Sequence, residues 1–315
     1  MRALSIDLGG THIGCAVVEE TRVLAYSSVP ISNIHSLATA LPEIEQTLHQ
    51  LLLAVNIKSN ECVGIVMGFP GIVDTFSGAI LSTLKKYDDA PRLNLAERFQ
   101  RSFGLPFRIE NDARLALLGE HYAGAGQGFA DVVMMILGTG IGTAAMIKGQ
   151  ILRGVHGQAG ILGGHFPLNP GGRQCVCGNL GCAESEASGW SMPLIAKAWT
   201  GFSASSLASR RKIDFGSLFV AASRGDAVAQ AIRNHCFQVW ARNAVALIHA
   251  YDPEMVVVAG GILQSNTEQT ISFIQKYVAQ HAWTSWGKVP VRATQCGVQA
   301  VLLGAIPLIR EQRSA

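Results

Sequence analysis

Two segments of the 315-residue chain share one layout, in which an apolar run, a turn of Gly and Thr residues and a second apolar run follow each other. The first segment is ALSIDLGGTHIGCAVVEETRVL, beginning at residue 3, and the second is VVMMILGTGIGTAAMIKGQIL, beginning at residue 132. Strand, tight turn and strand is the pattern of a β-hairpin. Further strands and helices follow each copy, so the repeat predicts two similar α/β domains that face each other.

The composition is that of a compact, well-buried protein. Apolar residues make up 49% of the chain and charged residues only 15%, below the roughly 25% that is usual for soluble domains. The net charge of +3 is too small to indicate a nucleic-acid or membrane surface. The N-terminus MRALSID lacks the apolar region of a signal peptide, and no apolar run is long enough to span a membrane. We therefore expect a cytoplasmic protein that binds neither nucleic acid nor membranes.

Hydrophobic periodicity predicts the main helices and loops. Helical spacing of apolar residues indicates helices over residues 37–55 and 226–252, and another helix should end at Gly104. We expect a loop at residues 110–112, between a short strand and a helix. The Ser-rich stretch 200–216 has poor periodicity and also predicts a loop.

These elements divide the chain into two expected domains. The N-terminal α/β domain should cover residues 1–118 and the C-terminal α/β domain residues 119–297. The apolar segment near the C-terminus predicts a last helix, over 298–312, that packs back on the N-terminal domain. A cluster of Cys and His residues falls in the C-terminal domain.

The glycine turns have the composition of phosphate-binding loops. Glycine allows backbone N–H groups to approach an anion closely, and Thr adds a hydroxyl donor. Asp7, at the end of the first strand, could hold Mg²⁺ directly or through water. Ordinary hairpin turns are the alternative, but two turns with the same layout and a preceding Asp favour phosphate binding. Neither turn matches a P-loop or a Rossmann fingerprint. Gly260 and Gly261, after another buried strand, would permit close approach of a flat ring such as adenine.

Asp112 is the candidate catalytic residue. It follows Asn111 just before a helix, so one interpretation is a helix cap. The other is a general base that takes the proton of a substrate hydroxyl and directs its oxygen at a γ-phosphoryl group.

The His and Cys cluster has the spacing of a metal site. It reads His165-x9-Cys175-x-Cys177-x4-Cys182. Four nitrogen and sulfur ligands with short loops between them suit a tetrahedral Zn²⁺ and leave no position for water, so the metal should be structural. Unrelated loop thiols are the alternative. A zinc hydrolase would need an open metal position, which four ligands exclude.

Together these motifs resemble the ROK family (repressor, open reading frame, kinase), and the resemblance runs from Leu4 to about Ala305. It implies an actin-like ATPase fold, related to hexokinase and RNase H, with two α/β domains around a central cleft. It implies an ATP-dependent sugar kinase that is commonly a homodimer. Some members carry a DNA-binding helix-turn-helix ahead of this module; because the first predicted strand starts at residue 2, we expect none here.

The resemblance also implies roles for individual residues. Asp112 would be the base that activates a sugar 6-hydroxyl. Sugar hydroxyls would meet Gly68, Asn111, His165 and Glu184. The expected contacts with phosphate, Mg²⁺ and adenosine are Asp7, Gly9, Gly10, Thr11, Gly138, Thr139, Gly140, Gly260 and Gly261.

One departure from the family pattern concerns the sugar. The family usually reads G-E-x-G-H at the zinc histidine, and its Glu binds sugar hydroxyls, whereas this chain reads GILGGH. Ile161 or Leu162 holds the position of that Glu, and neither side chain accepts a hydrogen bond. The sugar is therefore expected to differ at C1 or C2 or to bind more weakly. A non-catalytic sugar sensor derived from a kinase is the alternative function. Glu186, which has no counterpart in the family pattern, is expected to be solvated.

Overall fold

The computed structural model describes residues 1–10, 12–31, 33–83 and 86–313, and the chain forms two compact units. Unit 1 comprises Met1–Gly128, Ile151–Ala159 and Gln295–Ala315, and unit 2 comprises Phe129–Gln150 and Gly160–Thr294. The expected domain boundary between residues 118 and 119 stays a prediction.

Unit 1 is built on a five-stranded sheet of order β3-β2-β1-β4-β7. Its strands are β1 (Arg2–Leu8), β2 (His12–Glu19), β3 (Arg22–Pro30), β4 (Ile65–Phe69) and β7 (Phe107–Asn111). The first three strands pair antiparallel, while β4 runs parallel to β1 and β7 parallel to β4. A separate hairpin consists of β5 (Ile72–Asp74) and β6 (Ala79–Ser82).

Three helices of unit 1 follow from its apolar periodicity: α1 (Leu41–Ala54), α2 (Leu95–Phe103) and α3 (Asp112–Ala123). α1 buries Ile44, Leu48 and Leu51, whose spacing puts them on one face. It begins four residues after the expected start at residue 37. α2 ends at Gly104, as predicted, because this residue takes the left-handed conformation with φ of 71°.

Unit 2 has a second sheet, of order β10-β9-β8-β11-β12. Its strands are β8 (Val132–Leu137), β9 (Ile141–Ile147), β10 (Gln150–Ile151), β11 (Met255–Ala259) and β12 (Val291–Ala293). Its helices are α4 (Ala183–Ala187), α5 (Met192–Ala198), α6 (Phe215–Ser223), α7 (Ala227–Tyr251) and α8 (Thr267–His281). α7 confirms the helix predicted over 226–252. The predicted loop at 200–216 holds a short 3₁₀ helix, Phe202–Ala204, and the first two residues of α6.

The two sheets have the same strand order, and β8, β9, β11 and β12 pair in the same directions as β1, β2, β4 and β7, which confirms the structural repeat. β8 pairs antiparallel with β9, while β11 runs parallel to β8 and β12 parallel to β11. In each unit the parallel strands therefore end at one edge of the sheet, where open α/β sheets bind their ligands.

The C-terminal segment forms two short helices, α9 (Ala300–Leu303) and α10 (Ala305–Arg313), where one helix over 298–312 was predicted. Both pack against α3. Gly119 and Gly304 make this approach possible, since a Cβ on either would collide with a facing carbonyl oxygen. Within the described residues, every helix is too short or too polar to cross a lipid bilayer.

Candidate functional site

Asp112 lies at the first position of α3, directly after β7. The predicted loop at residues 110–112 is absent because β7 continues to Asn111 and the helix begins at the next residue. Asn111 is the cap: its Oδ1 accepts a hydrogen bond from the backbone N–H of Arg114 at 3.2 Å. The carboxyl of Asp112 is therefore not used as the helix cap, and the helix N-terminus favours its negative charge.

The two oxygens of Asp112 have different surroundings. Oδ1 accepts hydrogen bonds from the backbone N–H of Ala113 at 2.8 Å and from Asn111 Nδ2 at 3.1 Å. None of the described residues hydrogen-bonds to Oδ2. Burial raises the pKa of Asp112, and these hydrogen bonds together with the charge of Lys86 offset only part of that rise. One oxygen is thus fixed in place while the other can accept a proton.

Asp7 lies at the same edge of the sheet. In the strand register Asp7 is opposite Gly68, and Phe69 is opposite Asn111, so the ends of β1, β4 and β7 meet. Burial, followed by the negative charge of Asp112, raises the pKa of Asp7 to about 7. A divalent cation would relieve this repulsion, so the pair of carboxylates fits the predicted role of Asp7 in holding Mg²⁺.

The first glycine turn is held by Tyr87, a residue that no sequence motif pointed to. The hydroxyl of Tyr87 donates a hydrogen bond to the carbonyl of Gly9 at 2.9 Å, and Tyr87 is fully buried. A Cβ at Gly9 would lie 2.5 Å from the carbonyl oxygen of His12, so only glycine fits. Gly10 is exposed and has open space beside it. Thr11 lies outside the described residues.

Gly68 and Asn111, the expected sugar contacts of unit 1, have clear packing roles. A Cβ at Gly68 would lie 2.7 Å from Val301 Cγ1, so its position requires glycine. The Asn111 amide donates to the carbonyl of Gly71 at 3.0 Å as well as to Asp112. Their contacts with a sugar stay predictions.

Residues on either side of Asp112 in the chain, Glu110 and Arg114, belong to a buried ionic network that no sequence motif predicted. Glu110 and Arg114 are both fully buried and 3.4 Å apart, and Arg153 Nε donates to Glu110 at 2.8 Å. Arg114 Nη2 donates to the backbone carbonyls of Arg153, Gly157 and Ala159. This network ties the first turn of α3 to the segment 151–159. The only sequence signal was the i, i+4 spacing of Glu110 and Arg114.

The second glycine turn, Gly138–Gly140, borders a cavity of about 400 Å³ in unit 2. Of the residues predicted to bind nucleotide in this unit, three line the cavity: Gly138, Thr139 and Gly261. Gly140 and Gly260 do not line it. Gly260 has a φ of 104° and packs on the end of β8.

Trp190 and Lys212 are among the cavity-lining residues that were not predicted as ligand contacts. Trp190 lies at the wall, where its backbone N–H donates to the carbonyl of Thr139 at 2.9 Å. Lys212 also lines the cavity and forms an exposed ion pair with Asp214 at 3.2 Å. Nothing in the local sequence marked either residue, because the contacts depend on long-range packing.

Glu184, a predicted sugar contact, lies against the second glycine turn. Its Oε2 accepts a hydrogen bond from the backbone N–H of Ile141 at 2.9 Å, and its Oε1 accepts one from Trp190 Nε1 at 3.1 Å. A Cβ at Gly140 would lie 2.4 Å from this carboxylate, which explains the glycine. Glu184 therefore joins the glycine turn to the cavity wall, and its contact with a sugar stays a prediction.

The four predicted zinc ligands come together as a cluster, His165, Cys175, Cys177 and Cys182, whose ligand atoms all lie within 4.8 Å of one another. The Cys177 and Cys182 sulfurs are 3.6 Å apart, and Cys175 Sγ is 3.5 Å from His165 Nδ1. A tetrahedral zinc bound at about 2.3 Å by sulfur and about 2.0 Å by nitrogen separates its ligands by roughly 3.5 to 3.8 Å. The spacing and the donor set fit zinc, with Nδ1 as the histidine ligand atom.

The expectation that Glu186 is solvated is wrong. The residue is only 4% exposed, and its Oε1 accepts a hydrogen bond from the backbone N–H of Arg173 at 2.6 Å. Its Oε2 lies 3.7 Å from His235 Nε2. Glu186 thus holds the loop ahead of Cys175 against α7, a long-range contact that the sequence motif did not reveal.

Comparison with known proteins finds a matching family, similar sequences and a similar crystal structure. The ROK family model matches residues 3–312. A glucokinase from Thermotoga maritima is 29% identical over 99% of this chain and 98% of its own. The DNA-binding transcriptional repressor Mlc of Escherichia coli is 26% identical over 92% of this chain and 69% of its own. The crystal structure of a ROK family glucokinase from Streptomyces griseus, in complex with glucose and AMPPNP, covers 99% of this chain and 100% of that chain, with a TM-score of 0.78 and 27% identity.

Proposed function

The chain belongs to the ROK family and has its actin-like fold, and we propose that it is an ATP-dependent sugar kinase that phosphorylates the 6-hydroxyl of a hexose or hexose derivative. The observation that carries the proposal is the environment of Asp112. Its carboxylate begins α3, one oxygen is held by two hydrogen bonds, and the other is available to a substrate hydroxyl. The kinase relatives and the nucleotide-bound structure support the same reaction class.

In this mechanism Asp112 Oδ2 takes the proton of the sugar 6-hydroxyl. The sugar 6-oxygen forms a bond to the γ-phosphorus of ATP. The bond from that phosphorus to the bridging oxygen breaks, and ADP leaves. We assign the nucleotide to the cavity beside Gly138, Thr139 and Gly261. When bound, Mg²⁺ would neutralise phosphate charge, and Asp7 is the residue that would hold it.

The zinc cluster shapes the proposed sugar site through the segment that carries it. A zinc on His165, Cys175, Cys177 and Cys182 would fix the loop that leads into α4 and Glu184. With Nδ1 on the metal side, Nε2 of His165 is the atom left for a sugar hydroxyl. A hydrogen bond made by the ring nitrogen that does not bind the metal often orients a metal-bound histidine.

The sugar is expected to differ at C1 or C2, or to bind more weakly. Either Leu162, 37% exposed, or the partly buried Ile161 stands where the family pattern has a sugar-binding Glu. An apolar side chain cannot accept a hydroxyl hydrogen bond, and a site that loses such an acceptor loses its discrimination.

A sugar sensor without catalysis is the second candidate. It is favoured by the same loss of an acceptor and by the similarity to the repressor Mlc. The environment of Asp112 and the nucleotide-sized cavity argue against it, because a sensor needs no general base. A homodimer, Mg²⁺ as cofactor, cytoplasmic location and the absence of nucleic-acid or membrane binding also remain proposals.

The deciding experiment is a coupled assay of ADP release over a panel of hexoses and N-acetylhexosamines, with zinc content measured in the same sample. The kinase proposal expects sugar-dependent ADP release that is lost in Asp112→Asn. The sensor is supported instead if the folded, zinc-loaded protein is stabilised against heat by one sugar of the panel and releases no ADP with any.

A further inference from the structure

A second cavity in unit 2, of about 330 Å³, is lined by two exposed tryptophans. Trp283 and Trp286 lie in the loop after α8 and are 87% and 59% exposed. The other lining residues are Ile248, His249 and Asp252, at the C-terminal end of α7. Contiguous exposed apolar patches, especially those rimmed by polar residues, mark sites for ligands or partners. The nucleotide cavity shares no lining residue with this second one.

A helix end, a carboxylate and two indole rings at this cavity each contribute negative or partial negative charge. α7 is 25 residues long and ends at Tyr251, so the partial negative charge of its last carbonyls is directed at the lining. Asp252, the residue that caps this helix, adds a full negative charge to the same wall. The faces of the two indole rings carry the negative end of the aromatic quadrupole.

The histidine in the lining, His249, is hydrogen-bonded to the tryptophan loop. Its Nε2 accepts a hydrogen bond from the backbone N–H of Trp283 at 2.9 Å. This hydrogen bond ties the tryptophan loop to the end of α7, so that Trp283 and Asp252 line the same cavity.

We propose that this cavity binds a small organic cation, of the class of alkylated ammonium ions. Tryptophan is the best aromatic partner for such a cation, and a carboxylate beside the rings adds direct charge pairing. A volume of about 330 Å³ accommodates a group of this size. The proposal concerns a different site from the kinase reaction and does not depend on it.

The test is a titration of the full chain with choline and with its neutral isostere 3,3-dimethylbutan-1-ol, followed by tryptophan fluorescence and ligand-observed NMR. Sodium phosphate replaces Tris as buffer, because Tris is itself an organic cation. We expect choline to saturate in the millimolar range and the neutral isostere to bind at least about tenfold more weakly. Asp252→Asn, Trp283→Ala and Trp286→Ala should each weaken choline binding by about 3- to 30-fold.

Trp199→Phe is the matched control, because Trp199 contacts His235 elsewhere in unit 2 and lines neither cavity. This variant should bind choline as the parent chain does. Equal affinity for choline and its isostere would overturn the proposal, since it would indicate a plain apolar surface. So would unchanged choline binding in the Asp252 and tryptophan variants, or dissociation of an oligomer by Trp283→Ala, which would assign the patch to a second copy of the chain.

Discussion

Asn111 Nδ2 lies 3.1 Å from Oδ1 of Asp112, so the residue that caps α3 also orients the carboxylate that begins it. The cap oxygen of Asn111 is committed to Arg114, and its amide also reaches the carbonyl of Gly71. Both polar atoms of the Asn111 side chain, Oδ1 and Nδ2, are therefore held by hydrogen bonds. A general base accelerates the reaction more when its oxygen is held in place before the substrate binds.

Asp112→Asn should lower kcat by about 10²- to 10⁴-fold with little change in the melting temperature, because the amide cannot accept the substrate proton. Asn111→Ser is the matched variant, since Ser can still cap the helix but cannot reach Asp112 and Gly71. Its kcat should fall less than that of Asp112→Asn. Steady-state kinetics with coupled ADP detection measures both. An Asp112→Asn enzyme with normal kcat would exclude the proposed base.

Asp7 should make both activity and stability depend on pH. Its pKa of about 7, against an ordinary 3.8, means that the folded chain binds more protons than the unfolded chain between about pH 4 and pH 7. Stability should therefore fall as pH rises through this window, and Asp7→Asn should remove that slope. kcat/KM for Mg–ATP should fall as pH is lowered through about 7, because protonated Asp7 cannot hold the cation.

Thermal unfolding between pH 4.5 and 8 measures the stability effect. Asp74→Asn is the control, since hydrogen bonds from Ser77 Oγ and from the backbone N–H of Phe76 lower the pKa of Asp74. The stability that Asp74 contributes is fully present above its unfolded pKa of about 3.8, so Asp74→Asn should lower stability by a constant amount across this window and leave the pH slope unchanged. An Asp7→Asn variant that keeps the parent pH slope would contradict the assignment.

The repeat and the metal cluster were predictable because each is encoded locally. Alternating apolar residues around a glycine turn specify a hairpin by themselves, and the two copies formed sheets of the same order. The ligands of the zinc cluster lie within eighteen residues, so short loops suffice to bring them together.

Contacts between distant segments could not be predicted in this way. Tyr87 reaches Gly9 across 78 positions, and Arg153 reaches Glu110 across 43. Each pair depends on which elements become neighbours, and no local period records that choice. The helix cap at Asp112 was one of two interpretations, and the structure has Asn111 as the cap instead. Asn and Asp are equally good caps, and only the end of β7 decides between Asn111 and Asp112.

Removal of zinc should unfold the segment around the cluster. A strong chelator or Cys177→Ser is expected to lower the melting temperature and sugar affinity together, because the loop from His165 to Glu184 loses its crosslink. Cys62→Ala is the control: it is buried outside the cluster and should keep one zinc per chain. Metal content by mass spectrometry and thermal unfolding report the result. Full zinc content in Cys177→Ser would contradict the four-ligand site.

Glu184→Gln separates two roles for this residue. Its hydrogen bonds to Ile141 and Trp190 Nε1 predict that the variant raises KM for ATP by about 10- to 150-fold, as one charged hydrogen bond is worth roughly 1.5 to 3 kcal/mol. The family resemblance predicts instead a raised KM for the sugar. Measuring both constants distinguishes them, and Glu186→Gln, which alters a neighbouring buried carboxylate that bonds to Arg173, is the control.

Arg114→Met should destabilise unit 1 by about 3 kcal/mol, because it leaves Glu110 with one cation fewer and three backbone carbonyls without their donor. Glu97 and Arg101 offer a matched control, since they form the same i, i+4 pair at 2.6 Å but are 59% and 76% exposed. Arg101→Met should cost less than about 0.5 kcal/mol. Urea unfolding of both variants gives the two free energies. Equal losses would mean that burial of the Glu110–Arg114 pair adds nothing to stability, and that the segment 151–159 is held by packing alone.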